Sequence, residues 1–346
     1  MVSQVTYIWL DGTQPSQTLR SKTRILALTD SPTLSELPHW TFDGSSTNQA
    51  QGDSSDLVLQ PVFFVADPIL GPGNYLALCE VFDMEEQPHP TNHRAKLRAV
   101  MEKGGATFDP WIGFEQEYTL FQGTTPLGWP EKGYPAPQGP FYCGVGADEV
   151  FGRDLVEEHT EACLEAGLML FGTNAEVMPG QWEFQIGYRG IASESADPLT
   201  VSDHLWVARW LLYRIGEDYG ISATLDPKPV KGDWNGAGKH TNFSTQAMRD
   251  PQTGWETINQ AIEALSKAHD KHIKVYGANL SERLTGLHET ACINTFSAGV
   301  SDRGASIRIP YEVSKKQYGY IEDRRPGANA DPYQVSRALI ETTCGL

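Results

Sequence analysis

Cysteine is scarce in this chain. Only Cys79, Cys143, Cys163, Cys292 and Cys344 occur in 346 positions, with no C-x-x-C pair, a pattern that fits reduced thiols in a cytoplasmic protein. Positive charge is also in short supply: 27 Lys and Arg against 44 Asp and Glu leave a formal net charge of −17. That balance argues against general affinity for nucleic acid or for anionic membrane surfaces, because both repel an acidic protein. No run of about 18 apolar residues is present, and the start, MVSQVTYIWLDGTQ, is neither basic nor continuously apolar, so a soluble, unexported protein is expected. There is no G-x-x-x-x-G-K-[ST] phosphate loop, GVGADE lacks the last glycine of the dinucleotide fingerprint, and HETAC lacks the second histidine of a zinc-protease helix. No nucleophile elbow, internal repeat, heptad pattern or low-complexity tail occurs.

The composition itself is ordinary for a globular protein, 40% hydrophobic and 21% charged. The length exceeds the usual single-core size, which predicts one large domain and one smaller one. Up to residue 88, short β-like runs (VTYIWL, RILAL, LVLQPVFFV, YLALCEVF) are broken by Gly, Pro, Asn and Asp clusters. A small β-rich domain over 1–88 follows. Thr91 or Asn92 then caps a helix, NHRAKLRAVMEK, ended by Gly104 and Gly105. Across 89–346, strand-like segments alternate with helices expected near 152–166, 198–216, 256–275 and 332–343, the last opened by Asp331 and Pro332. The fold class is α+β.

Chemistry gathers in four segments. In FEQEYTLF the strand period of two puts Glu115 and Glu117 on one face and Phe114 and Tyr118 on the other. Adjacent carboxylates repel unless a cation lies between them, so a solvated strand face and a cation site both fit. NAEVMPGQWEFQIG reads as two strand pieces around Pro179–Gly180, with Glu183 facing away from Trp182, Phe184 and Ile186 and with Glu176 across the turn. Four such carboxylates suit a hard divalent ion, Mg²⁺ or Mn²⁺, and an imidazole is compatible with Mn²⁺. KHTNFST supplies that imidazole: His240, Asn242 and Ser244 share a face, preceded by Gly236 and Gly238, which allow close approach of backbone to a ligand. YGYIEDRRPGAN puts Tyr320, Glu322 and Arg324 together, and Arg283, Arg303, Arg308 and Arg325 crowd the same third of the chain. A cluster of arginines in an acidic protein suits carboxylate and phosphate recognition. Residue chemistry thus reaches a dimetal, arginine-lined site for phosphoryl transfer.

With these segments assembled, the chain closely resembles type II glutamine synthetase from about Trp9 to Cys344. The resemblance rests on WTFDGSST, EQEYTL, GPFYCGVGAD, GTNAEVMPGQWEFQIG, DPKP, WNGAGKHTNFST, RLTGLHET, ASIRIP and EDRRP, all in the family's order. It implies a β-grasp domain followed by a catalytic α/β domain whose antiparallel sheet lines a funnel-shaped site, assembled as two stacked pentamers. By position it implies one metal on Glu115, His240 and Glu322 and another on Glu117, Glu176 and Glu183. ATP is implied to meet Trp111, Asn242, Ser244, Arg303, Arg308 and Tyr320, and glutamate to meet Glu183, Asn235, Gly236, Arg283, Arg303 and Arg324.

The implied reaction makes γ-glutamyl phosphate from glutamate and ATP, then lets ammonia displace the phosphate. Asp43, carried on a loop from the neighbouring subunit, is the implied acceptor of ammonium's proton. Asp56 and Glu289 complete a negative pocket, and Glu289 also closes over the acyl phosphate. Asp-Gly and Asp-Ser steps also cap turns, which gives Asp43 and Asp56 a second reading. A ligase for a larger amine and a non-catalytic ring protein are the competing functions. Lys239, beside the metal histidine, departs from the family pattern and by parity points away from the metal.

Overall fold

The computed structural model describes residues 2–346. Alternating apolar residues in the first 82 positions form five strands: β1 (Val2–Leu10), β2 (Leu19–Ala27), β3 (Trp40–Asp43), β4 (Asp56–Ala66) and β5 (Tyr75–Phe82). They form one sheet in the order β2-β1-β5-β4-β3, antiparallel throughout except for the β1–β5 pair. Strand parity divides its apolar side chains between two cores. Val5, Tyr7, Trp9, Ala77, Cys79 and Val81 fill a small core of their own with Phe42, Leu57 and Leu59, whereas Ile8, Leu76 and Leu78 join the large core of the rest of the chain. The N-terminal sheet is therefore seated on the following domain by its second face.

A buried polar clamp fixes that seat. Arg94, near the start of α1 (His93–Glu102), reaches Glu80 of β5 at 2.8 Å and Asp203 of α3 (Pro198–Tyr219) at 2.8 Å. Asp203 also accepts from the hydroxyl of Tyr333 at 2.6 Å, in the last helix (Pro332–Cys344). Of the two candidate caps for α1, Asn92 is the one used: it accepts from the backbone N–H of Ala95.

The second sheet has nine strands: β6 (Trp111–Gln122), β7 (Thr125–Pro126), β8 (Leu170–Ala175), β9 (Gln181–Gly187), β10 (Ser222–Thr224), β11 (Lys239–Ser244), β12 (Ala298–Val300), β13 (Ile307–Ile309) and β14 (Ile321–Asp323). Its path runs β12-β13-β14-β11-β6-β9-β8, with β7 and β10 also paired to β6, and only β12–β13 is parallel. Helices α2 (Arg153–Glu165) and α3 cover its apolar face, and α4 (Gln246–Arg249), α5 (Gly254–Lys267), α6 (His269–Ile273), α7 (Leu280–Arg283), α8 (Tyr311–Lys316) and α9 (Pro332–Cys344) complete the domain. The single helix expected near 256–275 is two. Ala268 ends α5, and the turn sets His269 against the carbonyl of Ile293 and beside Arg325, while His272 meets Tyr276 and Thr342. Those buried polar partners outweigh the helical periodicity that runs through the break. Among the described residues no helix is long and apolar enough to cross a membrane.

Candidate active site

β6 is the axis of the site. Its register with β11 sets His240 opposite Glu115, Asn242 opposite Gly113 and Ser244 opposite Trp111, while its register with β9 sets Glu117 opposite Glu183. Directly opposite residues share a face, so one face of three strands carries every one of these groups. The other face carries Phe114, Tyr118, Phe184 and Phe243 into the core.

The polar face opens into a cavity of ≈ 620 Å³ lined by Glu115, Glu117, Glu176, Glu183, His240 and Glu322 together with Arg283, Arg303, Arg308 and Arg324. Ligand atoms of Glu115, His240 and Glu322 lie within 4.8 Å of one another, and so do those of Glu117, Glu183 and His240. His240 is thus shared: Nδ1 is 3.3 Å from Glu115 and 3.7 Å from Glu322, and Nε2 is 3.9 Å from Glu117. Glu176 lines the cavity outside both tight groups, accepting from Asn174 Nδ2 at 3.0 Å and from the N–H of Val177 at 3.2 Å.

Burial, reinforced by neighbouring carboxylates, pushes Glu176 up to about 8 and Glu183 up to about 9. Glu117 is raised for the same first reason, with Arg283 and the N–H of Gly238 pulling the other way. His240 is held neutral, well below its ordinary value, by burial and by Arg324. Glu322 is gripped at both oxygens, by Arg308 at 2.5 Å and by Arg324 at 2.5 Å.

Gly236 lines the cavity, and both Gly236 and Gly238 also serve a packing need. A Cβ on Gly238 would stand 2.3 Å from Arg283 Nη2, and one on Gly236 would stand 2.8 Å from Arg283 Cγ. The buried Arg283 side chain makes this close approach and donates to the carbonyl of Arg324 and to His240 Nε2. Asn235 also faces the cavity. Arg325 does not belong with the other arginines: it is 1% exposed and pairs with Asp323 at 2.6 Å beside Tyr276, on the core side of β14.

Along the same strands, a second cavity of ≈ 330 Å³ is lined by Trp111, Asn242, Ser244 and Tyr320. Arg249, which the sequence did not single out, sits 4.0 Å over the Trp111 ring, donates to Ser244 Oγ at 2.8 Å and pairs with Asp109 at 2.6 Å. It comes from α4, immediately after β11, and its pattern in sequence is that of any surface arginine. Tyr142, Asn174 and Gln185 were missed in the same way. All three line the main cavity, and Gln185 links Asn174 to Glu183.

Asp43 and Asp56 line neither cavity. They are exposed register partners at the start of the β3–β4 pair, and among the described residues neither has an ion-pair partner. The hydroxyls of Ser45 and Ser46 and the N–H of Ser45 lower Asp43 to about 2, and it caps the short turn that follows. Glu289 lines the main cavity on a loop where it and His288 both have positive φ, 58° and 52°.

The profile of the glutamine synthetase beta-Grasp domain matches residues 1–84, and that of the glutamine synthetase catalytic domain matches residues 90–344. The chain belongs to the glutamine synthetase family. It is 59% identical to a glutamine synthetase of Streptomyces viridochromogenes over 345 residues, covering 99% of this chain and 97% of that one. It is 54% identical to the chloroplastic glutamine synthetase of Chlamydomonas reinhardtii, with 97% and 89% covered, and 52% identical to that of Mus musculus, with 98% and 89% covered.

Glutamine synthetases use ATP and divalent metals, and the groups on this face suit such ions. Five glutamates and a neutral imidazole converge there, and burial together with the neighbouring carboxylates raises two of those carboxyls to about 8 and about 9. Hard oxygen donors in this number are the donor set of Mg²⁺ or Mn²⁺.

Proposed function

We propose that the protein joins ammonia to the γ-carboxylate of L-glutamate, with ATP converted to ADP and phosphate, through γ-glutamyl phosphate. The observation that carries this reading is a single strip of sheet with a carboxylate–histidine cluster at one end and an aromatic, basic cavity at the other. Six residues separate Glu117 from Trp111, or roughly 20 Å of strand, enough for a nucleotide lying along β6 to place its terminal phosphate at the cluster. Trp111, Asn242, Ser244 and Tyr320, with Arg249, hold the nucleotide. Glu115, Glu322 and His240 hold one ion, and Glu117, Glu183 and Glu176 another. Bound there, Mg²⁺ or Mn²⁺ supplies charge that offsets the phosphate oxygens.

A carboxylate is a poor electrophile and must first become an acyl phosphate. Arg283 and Arg324, with Asn235 and Gly236, hold glutamate, while Arg303 and Arg308 offset the charge that develops on the phosphoryl group in flight. In the second step ammonia's lone pair forms the C–N bond and phosphate leaves. Ammonium must lose a proton before that attack. Glu289, at the cavity, is joined by Asp43 and Asp56 of an adjacent copy to attract the cation, and Asp43 takes the proton. Two carboxylates directly opposite on one sheet face repel each other, and a small cation relieves that repulsion. Their position outside the chain's own cavities supports an assembly in which one subunit's N-terminal domain completes its neighbour's site, with two stacked pentamers as the full form. The domains divide at 88/89, in the connection that leads to Asn92, and the cytoplasm is the proposed compartment.

Phosphate release by the purified protein, given ATP, Mg²⁺ and glutamate, should depend strongly on ammonium when several amines are compared side by side. Faster turnover with an alkylamine or a polyamine would move the substrate to a larger amine.

A further inference from the structure

Glu289 brings a carboxylate to the main cavity, and among the described residues that carboxylate has neither a hydrogen-bond nor an ion-pair partner. Its place is therefore set by backbone alone, and the backbone there is unusual. Gly286, His288 and Glu289 have φ of 83°, 52° and 58°, the left-handed region that residues with a Cβ seldom occupy and that surrounding contacts must hold. Within the loop, Thr290 Oγ1 lies 2.8 Å from the Leu287 carbonyl and 3.1 Å from that of Arg283. From β14, Arg324 reaches the Glu289 carbonyl only at 3.4 Å.

A side-chain tie comes from another loop. His288 Nε2 lies 3.1 Å from Asp233 Oδ1, in the segment between β10 and β11. The same segment is pinned to α7 by Lys231 and Glu282 at 3.0 Å. All four residues line a cavity of ≈ 480 Å³, and among the described residues His288 is the one that this cavity shares with the main cavity. The loop that carries Glu289 thus stands as a wall between two spaces, with room behind it.

Asp233 is 82% exposed, so as an ion pair the contact is weak. A neutral imidazole N–H still donates to a carboxylate, and the place of the bond gives it leverage. Asp233 precedes Asn235 and Gly236 by two and three positions, and His288 precedes Glu289 by one. On the ligase reading, in which Asn235 and Gly236 meet glutamate and Glu289 attracts ammonium, we infer that His288 and Asp233 are positioning residues: a latch that joins the glutamate segment to the loop of Glu289 and holds its carboxylate at the cavity. With the latch broken the loop gives way and water reaches γ-glutamyl phosphate. The water oxygen forms the new C–O bond, the acyl carbon–oxygen bond to phosphate breaks, and the water proton passes to the departing phosphate. Glutamate returns and no glutamine is made.

Two measurements on the purified protein test the latch: hydrogen–deuterium exchange across 284–292, and phosphate released per glutamine formed. The variants are Asp233→Ala, His288→Ala, both together, and Asp233→Asn, which keeps an accepting oxygen. Exchange should be about fivefold faster in each alanine variant, as for one lost hydrogen bond, no faster in the double variant, and close to wild type in Asp233→Asn. Phosphate should exceed glutamine by about twofold or more in the alanine variants, with ADP formation from ATP and glutamate slowed by less than about twofold. Unchanged exchange in Asp233→Ala, single effects that add in the double variant, or phosphate and glutamine falling in parallel would each refute the latch. A wild-type protein that forms no glutamine from ammonium refutes the ligase reading instead, and the exchange measurement then decides the latch by itself.

Discussion

Gly238 sits where three functional side chains converge: its N–H serves Glu117 at 2.7 Å, and its missing side chain leaves room for Arg283 and His240. In Gly238→Ala the new Cβ would fall 2.3 Å from a guanidinium nitrogen and 3.1 Å from His240 Nε2. Arg283 is buried and tied to the Arg324 carbonyl, so it cannot move away without disturbing the part of the cavity lined by Arg324. A displacement of about 1 Å is worth about 100-fold, and kcat/KM for glutamate should fall by that order while the sedimentation behaviour matches that of the wild type. Glu322 and Asp43 separate two roles in the same way. Glu322→Ala leaves Arg308 and Arg324 without their shared carboxylate and should abolish turnover in assembled protein; full activity at limiting metal would show that Glu322 is no ligand. Asp43→Ala should raise the ammonium concentration needed for half-maximal rate and leave glutamate-dependent ATP binding intact. An equal loss in both measurements would make Asp43 only the turn cap that Ser45 and Ser46 describe.

At the scale of strands, alternation made the site legible. Glu115 and Glu117, Glu183, and His240 with Asn242 and Ser244 fall on the face that period two assigns them, because Phe114, Tyr118, Trp182, Phe184, Ile186 and Phe243 on the opposite face must be buried. Register was not legible. That His240 stands opposite Glu115, and so reaches both ligand groups, depends on pairing between strands more than a hundred residues apart, which no local pattern encodes. Nor was the split at Ala268, where tertiary hydrogen bonds at His269 and His272 override a helical repeat. Arg249 stayed hidden because stacking on Trp111 is set by the α4 turn and by no spacing in sequence.

Parity also settles Lys239, which points into the core, donates to the Ala330 carbonyl at 3.0 Å and lies 4.8 Å from the Phe114 ring. Burial, and Arg209 next to it, hold its pKa well below the ordinary lysine value. Arg209 Nη2 already serves the same carbonyl at 3.0 Å. Asp331 is the carboxylate that favours the cation, but it makes no ion pair with Lys239, and replacing a buried charge held this weakly by an apolar side chain of similar length is neutral or stabilising. Lys239→Met should therefore match the wild type or exceed it by about 1–2 kcal/mol in chemical unfolding, with the metal requirement unchanged. A loss of several kcal/mol would mean that the ammonium is essential to the sheet.

For the whole molecule, the carboxylate cluster makes stability depend on metal and pH together. Glu176 and Glu183, pushed up to about 8 and about 9 in the folded chain, bind protons there that the unfolded chain has already released above the ordinary glutamate value. Between roughly pH 4.5 and 9 the folded state thus holds more protons than the unfolded one. Unfolding stability falls as pH rises whenever the native state binds the excess. Metal-free protein should consequently lose thermal stability steadily from pH 5.5 to pH 8.5, as two carboxylates are forced to ionise beside Glu117 and Glu115. A divalent cation takes the place of those protons, so its stabilising effect should be small at pH 5.5 and large at pH 8.5. Thermal unfolding of chelator-treated protein, with and without Mg²⁺ at the two pH values, measures this directly. An Mg²⁺ increment that is equal at both would mean the buried glutamates are compensated by Arg283, Arg308 and Arg324 alone, and that the ions bind outside the cluster.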